Sequence, residues 1–313
     1  MNELALFAGA GGGILGGKLL GWRTIGAVEI SAYCRGVLLR RQQDGMLPLF
    51  PIWDNIKTFR SDNKETSSYI KAARSLASLV ITAGFPCQPY STAGRRRGAD
   101  DSRNLWPDTI RVIREVEPEV ALLENVSGLL SFDYYGEIIG QLAESGYDTT
   151  WQVISASSLG LPHIRKRLWI LAWKNEKAVT LEGDQSFDFD RCCSKLNGWW
   201  YDDPANIFSN VKNNKLSRDT NNERTSRRIK QQASLVSVEK ARARREWGIK
   251  SKLGRVADGV ANRLDRFEVI GNGQVAILAA FAFVSLAMRV KLDLRRYCPT
   301  LFPKQLNNER EVL

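Results

Sequence analysis

Short apolar strands alternate with helices over the first 175 residues, and this alternation restricts the chain to few folds. Strands are predicted at residues 4–7, 24–28, 79–82, 120–123, 149–155 and 168–173. Helices are predicted between them at residues 14–20, 32–43, 108–116 and 135–145. Continuously apolar strands are typical of a parallel sheet that is covered on both faces. The expected fold class is α/β, with a Rossmann-like, mostly parallel sheet and helices on both faces.

The character of the sequence changes near residue 175. The following stretch is rich in Asn, Ser, Arg and Lys and has little periodicity, whereas residues 275–288 predict a buried helix too short to span a bilayer. We therefore expect a catalytic domain at 1–175, a small basic inserted domain at 176–255, and a segment at 256–313 that returns to the first domain. The amino terminus lacks the basic region of a signal peptide, so none is expected.

The net charge of +11 is concentrated in one part of the chain. Residues 191–255 carry 16 Lys and Arg against 6 Asp and Glu, which gives this segment a net charge of +10. Such a block commonly contacts a polyanion. The alternative is a solvated basic insertion. The charge favours a nucleic acid as the partner of this segment.

Five cysteines and a single histidine limit the expected metal and redox chemistry. The cysteines show no Cys-x-x-Cys spacing, and His163 has no second histidine to share a metal with. We expect no metal site. An odd cysteine count without paired spacing fits a reducing, cytoplasmic environment.

A glycine-rich turn follows the first predicted strand and reads Phe7-Ala8-Gly9-Ala10-Gly11-Gly12-Gly13. Glycines there permit a tight turn and the close approach of a ligand to the backbone. Glu29 ends the second strand, where a carboxylate can accept hydrogen bonds from two ribose hydroxyls. The pair predicts a nucleoside-cofactor site, with a purely structural turn as the alternative.

Cys87 lies in a turn after the strand at 79–82, which reads Gly84-Phe85-Pro86-Cys87-Gln88-Pro89-Tyr90-Ser91. Open α/β sheets bind ligands at the carboxyl ends of their strands. The arginines that follow favour a nucleophilic thiolate, and they are Arg95, Arg96, Arg97 and Arg103. The alternative is a small buried cysteine.

Three further motifs carry charged or amide side chains. Glu124 follows the strand at 120–123, with a solvated strand-end glutamate as the alternative. Arg165 and Arg167 are placed on one face by strand alternation and suit an anion or a base carbonyl, unless they form a solvated basic edge. Asn272, in Gly271-Asn272-Gly273-Gln274-Val275, is placed as the N-cap of the last helix.

Taken in order, these motifs resemble those of the DNA cytosine-5 methyltransferases, in particular the compact bacterial and phage type. The resemblance covers residues 1–175 and 250–292, and the Pro-Cys-Gln and Glu-Asn-Val motifs are specific as a pair. Residues 175–250 match no known motif, and the family carries its target recognition domain at this place in the chain. The resemblance implies transfer of a methyl group from S-adenosyl-L-methionine to C5 of cytosine in duplex DNA, with S-adenosyl-L-homocysteine as product.

The resemblance also implies the catalytic roles. Cys87 adds to C6 of the cytosine, and Glu124 forms hydrogen bonds with N3 and the exocyclic amine. Arg167 holds O2 and orients Glu124, and Arg165 supports the same site. The family's mobile catalytic loop closes over DNA whose target base is flipped out, and its residues here are Gln88, Ser91, Arg95, Arg96, Arg97 and Arg103.

The cofactor residues are implied in the same way. Phe7 faces the adenine, Gly9 and Gly11 admit the methionine part, and Glu29 takes the ribose. The remaining cofactor residues implied are Gly12, Asn55, Ile56, Pro86 and Asn272. Three features depart from the family pattern: His163 replaces the usual Gln, Asn55 replaces the usual Asp, and the last motif reads Gly-Asn-Gly-Gln, a variant of the usual small-residue form.

Two other functions remain open. One is an RNA (tRNA) cytosine-5 methyltransferase on the same scaffold, and the other is a catalytically idle DNA-binding regulator. The separate basic insertion favours DNA, and the intact Cys87, Glu124 and Arg167 favour catalysis. The expected partners are double-stranded DNA and a cognate restriction endonuclease that acts on the same site. A bacterial or phage-encoded cytoplasmic monomer without membrane contact is expected.

Overall fold

The described residues form one mixed sheet. The computed structural model describes residues 1–86, 104–159, 161, 165–174 and 273–302. The strands are β1 Asn2–Leu6, β2 Arg23–Val28, β3 Ile52–Trp53, β4 Leu79–Ala83, β5 Val120–Val126, β6 Tyr147–Ser155 and β7 Lys166–Lys174. They lie in the order β3-β2-β1-β4-β5-β7-β6, and β7 runs antiparallel to both of its neighbours. The predicted α/β class with a mostly parallel sheet is confirmed.

Helices cover both faces of this sheet. They are α1 Gly12–Leu19, α2 Ala32–Gln43, α3 Ser67–Arg74, α4 Trp106–Val116, α5 Tyr134–Glu144, α6 Ala276–Arg289 and α7 Leu294–Tyr297. Leu4 and Leu6 of β1 pack with α3, α4 and α5, whereas Ala5 packs with α1 and α2 on the other face. Both faces of β1, β4 and β5 are buried along most of their length, which is why these strands are mostly apolar.

Three features differ from the sequence-based expectations. The strand β3 and the helix α3 were not predicted, because one has two residues and the other buries only Ile70 and Ala73. The prediction that Asn272 caps the last helix is wrong, since α6 begins at Ala276 and Val275 occupies the N-cap position. Within the described ranges, no helix has the length and apolar character needed to cross a membrane.

The described C-terminal residues return to the sheet and pack on α1. A Cβ built on Gly16 of α1 would lie 2.8 Å from the carbonyl oxygen of Ala276, so α1 and α6 are in close backbone contact. Trp22 donates a 2.7 Å hydrogen bond through Nε1 to the carbonyl oxygen of Tyr297. Residues 273–302 therefore complete one face of the first domain. The inserted segment 176–255 lies outside the described residues, and the division of the chain into three segments stays a prediction.

Candidate active site

The described site residues collect at one edge of the sheet. The parallel strands β1, β2, β4 and β5 all end at this edge, and the antiparallel strand β7 begins there. Gly9 follows β1, Glu29 follows β2 and Pro86 follows β4, while Glu124 and Arg167 lie within β5 and β7. Open α/β sheets bind their ligands at this edge.

Glu124 is a buried carboxyl with a short contact to Arg167. The side chain belongs to β5, which extends to Val126, and the residue is only 7% exposed. Val126 pairs with Arg167, so Glu124 and Arg167 are diagonal neighbours on one face of the sheet. The Nε atom of Arg167 lies 2.8 Å from Oε1 of Glu124. The alternative of a solvated strand-end glutamate is wrong.

The surroundings of Glu124 act on its pKa in opposite directions. Burial raises the pKa of Glu124. The charges of Arg167 and Arg165, and hydrogen bonds from Arg167 and Gln274, oppose that rise. Burial prevails, so the carboxyl holds a proton to higher pH than an exposed glutamate does. A carboxyl of this kind can donate a proton to a bound base.

Arg165 lies at the same site but outside the strand. β7 begins at Lys166, so the residue is not placed by strand alternation as expected. Its Nη2 atom donates a 2.7 Å hydrogen bond to the carbonyl oxygen of Gly273 in the C-terminal segment. Burial lowers the pKa of Arg165, the charge of Arg167 adds to the effect, and Glu124 opposes it. Arg165 thus links β7 to the residues that precede α6.

Two amide side chains at this site received no role from the sequence. Asn125 is buried, and its Nδ2 atom donates a 3.1 Å hydrogen bond to the carbonyl oxygen of Phe85, two residues before Cys87. Gln274 donates a side-chain hydrogen bond to Glu124. Asn125 directly follows Glu124, and Gln274 lies two residues after Asn272, so an amide near each of these motif residues was the signal that could have identified them.

Among the glycines of the glycine-rich turn, only Gly9 has free space where a side chain would begin. Phe7, Gly9 and Gly11 have positive φ angles of 54°, 55° and 87°. A Cβ on Gly9 would meet no atom within 4 Å, which suits the approach of a ligand. A Cβ on Gly11 would lie 2.9 Å from Leu38, and one on Gly12 would lie 2.0 Å from the carbonyl oxygen of Gln274. Packing within the protein therefore explains the glycines at 11 and 12, whereas their contact with a cofactor stays a prediction.

We expect a Gly12→Ala substitution to destabilise the protein. The new Cβ collides with the carbonyl oxygen of Gln274, which forces the C-terminal segment off α1. The expected loss in the free energy of unfolding is about 1–3 kcal/mol, measured by urea denaturation. Gly36→Ala in α2 is the matched control, because its Cβ meets no atom within 4 Å and a helical alanine is favourable by about 0.5–1 kcal/mol. Equal stability of the two variants would contradict the packing role of Gly12.

Glu29 has the geometry expected of a ribose-binding carboxylate. It is 8% exposed, and its two oxygens accept backbone hydrogen bonds from Gly9 at 2.7 Å and from Ser31 at 2.8 Å. Each carboxylate oxygen keeps a further lone pair for a hydroxyl group. Ile30, the next residue, is 73% exposed and offers an apolar surface beside this carboxylate. These residues fit a nucleoside.

The loop after β3 is held in place by α4. Arg111 donates hydrogen bonds to the carbonyl oxygens of Ile56 and Phe59, at 2.7 and 2.9 Å. The side-chain oxygen of Asn55 accepts a 3.0 Å bond from the backbone of Lys57 and so closes a local turn. Contact of Asn55 and Ile56 with a cofactor stays a prediction.

Several predicted residues lie outside the described part of the chain. They are Cys87, Gln88, Ser91, Arg95, Arg96, Arg97, Arg103, His163 and Asn272. Their roles stay predictions. The described chain approaches Cys87 as far as Pro86, where Phe85 packs on Trp106 with ring centroids 5.1 Å apart.

Known proteins resemble this chain over somewhat more than half of its length. The type II methyltransferase M.NgoMIV of Neisseria gonorrhoeae is 31% identical over 183 residues, which cover 56% of this chain and 52% of that protein. The type II methyltransferase M.AplI of Arthrospira platensis is 33% identical over 196 residues, which cover 59% and 52%. The chain spans about half the length of these two relatives.

A solved structure and a family match complete the comparison. A DNA modification methyltransferase encoded within an Escherichia coli prophage aligns with a TM-score of 0.45 and 25% identity, over 56% of this chain and 47% of that one. The C-5 cytosine-specific DNA methylases match residues 1–266, a range that includes all seven strands of the sheet. The predicted family is thereby confirmed, and the chain belongs to the C-5 cytosine-specific DNA methylase family.

Proposed function

We propose that this protein is an S-adenosylmethionine-dependent DNA (cytosine-5-)-methyltransferase. The observation that carries the proposal is the buried Glu124, paired with Arg167 at the ligand-binding edge of the sheet. Its neighbour Asn125 bonds to Phe85, at the start of the turn that contains Cys87. The strand β5, which carries Glu124, therefore lies next to β4, and Cys87 follows β4 in the sequence.

The chain's own residues fit the cofactor. Glu29 would hold the ribose, Gly9 would leave space for the ligand, and Ile30 would offer an apolar surface. S-adenosylmethionine, when bound, supplies an electrophilic methyl group. The other residues that we assign to its site are Phe7, Gly11, Gly12, Asn55, Ile56, Pro86 and Asn272.

The protein residues make C5 of cytosine nucleophilic. The Cys87 thiolate adds to C6, and the electron pair of the C5–C6 bond moves through the ring toward N3. Glu124 gives a hydrogen bond or its proton to N3 and accepts one from the exocyclic amine, which offsets the developing charge. Arg167 orients Glu124 and holds O2, with Arg165 in support. After C5 has taken the methyl group, the C5 proton passes to solvent, N3 returns any proton it received to Glu124, and departure of the Cys87 thiolate restores the aromatic ring. S-adenosylhomocysteine is the co-product.

The substrate is proposed to be double-stranded DNA. Cytosine C5 is inaccessible to a thiol in a stacked duplex, so the base must be flipped out. The arginines of 87–103 and the basic segment 191–255 supply positive charge for phosphates. The relatives are named type II methyltransferases, so we further propose a restriction–modification setting with a cognate endonuclease, and a monomer in the cytoplasm of a bacterial cell.

Methyl-labelled S-adenosylmethionine distinguishes the candidate functions. Purified full-length protein is incubated with duplex DNA or with tRNA, and the label is located by nucleoside analysis. We expect 5-methylcytosine in DNA and no label in tRNA. Label confined to tRNA would show the RNA enzyme instead, and DNA binding without any transfer would show the idle regulator. Bisulfite sequencing of the product then gives the methylated sequence.

A further inference from the structure

We infer that Gln274 is a positioning residue for Glu124, through which the C-terminal segment fixes the orientation of the catalytic carboxyl. The inference rests on the proposed function. Gln274 lies directly before Val275 and the helix α6. It is distant in sequence from β5, so the contact exists only because the chain returns to the first domain.

Glycines at the start of α1 and in the loop after β4 make room for this one residue. A Cβ on Gly12 would lie 2.0 Å from the Gln274 carbonyl oxygen, and one on Gly13 would lie 2.3 Å from its Oε1 atom. A Cβ on Gly84, after β4, would lie 2.9 Å from its Nε2 atom. No larger residue fits at these three positions unless Gln274 moves. The space is therefore shaped for an extended amide side chain that passes between the loops after β1 and β4.

The amide ends at the carboxyl of Glu124. A Cβ built on Gly84 would lie 3.1 Å from Oε2 of Glu124 and 2.9 Å from Nε2 of Gln274. Both atoms therefore lie beside the backbone of Gly84. Gln274 donates a hydrogen bond to Glu124, and Arg167 contacts Oε1 of the same carboxyl. Two donors from different elements, Arg167 of β7 and Gln274 before α6, therefore hold the carboxyl in place. The remaining lone pairs are left for the base.

The adjacent residue contacts the second arginine of the site. The carbonyl oxygen of Gly273 accepts the 2.7 Å hydrogen bond from Arg165. Residues 273 and 274 therefore touch Arg165, Glu124 and the glycine-rich turn of the cofactor site. This two-residue segment joins the cofactor half of the site to the base-binding half.

The test compares single-turnover methyl transfer in three full-length variants. Gln274→Met keeps the length of the side chain and removes the donor, so the rate constant falls about tenfold, as expected for one hydrogen bond to a charged group. The pH profile of this rate constant has a limb that reports the ionisation of Glu124. In Gln274→Met this limb moves to higher pH, because the hydrogen bond from Gln274, which favours the charged form of Glu124, is lost. Gln274→Glu moves that limb further, since it adds a like charge. Ser285→Ala is the control, because it removes a 3.0 Å bond between α6 and Gln152 but does not touch Glu124.

The possible outcomes separate the inference from the proposed function. If the wild-type protein transfers no methyl group to DNA, the proposed function fails. If wild type is active and Gln274→Met keeps both its rate and its pH limb, the inference is wrong. If Gln274→Met has a lower rate and a lower melting temperature but an unmoved limb, Gln274 has only a structural role. That result also overturns the inference. The limb is assigned to Glu124 by its disappearance in Glu124→Gln.

Discussion

A Cys87→Ala variant loses methyl transfer to duplex DNA by roughly 10⁵-fold while it retains its fold and its affinity for S-adenosylmethionine. The reason is chemical, because C5 of cytosine becomes nucleophilic only after a nucleophile has added to C6. Among the described residues of the site, Glu124 is not suited to this addition, because it is buried against Arg167 and Gln274. The measurement is single-turnover transfer of a labelled methyl group, with cofactor binding followed by calorimetry.

A duplex that contains 5-fluorocytosine gives a second readout of the same step. This base has no C5 proton to lose, so the wild-type enzyme remains covalently attached and Cys87→Ala does not. Cys298→Ala serves as the control, because Cys298 is fully buried near Leu301, after α7, and outside the site. Turnover by Cys87→Ala at more than a hundredth of the wild-type rate would exclude the covalent mechanism.

Glu124→Gln is expected to lower the single-turnover rate by about 10²–10³-fold, the usual cost of removing one group that stabilises developing charge. The amide has no acidic proton for N3. The new NH2 group is itself a donor, whereas Arg167 and Gln274 both donate to the carboxyl of the wild-type residue. The amide therefore turns a donor toward one of these two donors. The variant therefore loses both the proton and the fixed orientation.

The matched control for this substitution is Glu137→Gln, which makes the same chemical change at an exposed position of α5. Its rate should equal that of wild type. The pH dependence is a further check, because the limb that reports the raised pKa of Glu124 should disappear in Glu124→Gln. A rate for Glu124→Gln within threefold of wild type would mean that this carboxyl does not take part in the reaction.

Most of the sheet could be predicted because its strands are locally distinctive. Six apolar runs and the turns after them predict β1, β2, β4, β5, β6 and β7, and residues 32–43 predict α2 with the observed bounds. The short strand β3 escapes because Ile52 and Trp53 form no periodic pattern. Its existence depends on pairing with Ala27 and Val28 of β2, which is a tertiary contact.

The chemistry of the site was harder to predict than its location. Glu124 looks like a solvated residue at the end of an apolar run, and only the sheet extended to Val126 shows that it is buried. The role of Gln274 depends on a contact with a residue about 150 positions earlier, which no local pattern reports. Gly12 was assigned to the cofactor for its backbone freedom, whereas the structure places the carbonyl of Gln274 against it.

The late return of the chain sets the order in which a nascent polypeptide can become competent. When β7 has been synthesised, several apolar side chains still lack the cover that α6 gives them, among them Val80, Leu122 and Trp169. Ribosomes add about 5–20 residues per second, so this surface waits on the order of ten seconds for α6 to emerge. Until then Glu124 lacks the donor from Gln274, and Arg165 lacks its acceptor at Gly273. A prematurely terminated chain would carry the thiol and the carboxyl without the segment that aligns them, and it would expose an aggregation-prone face.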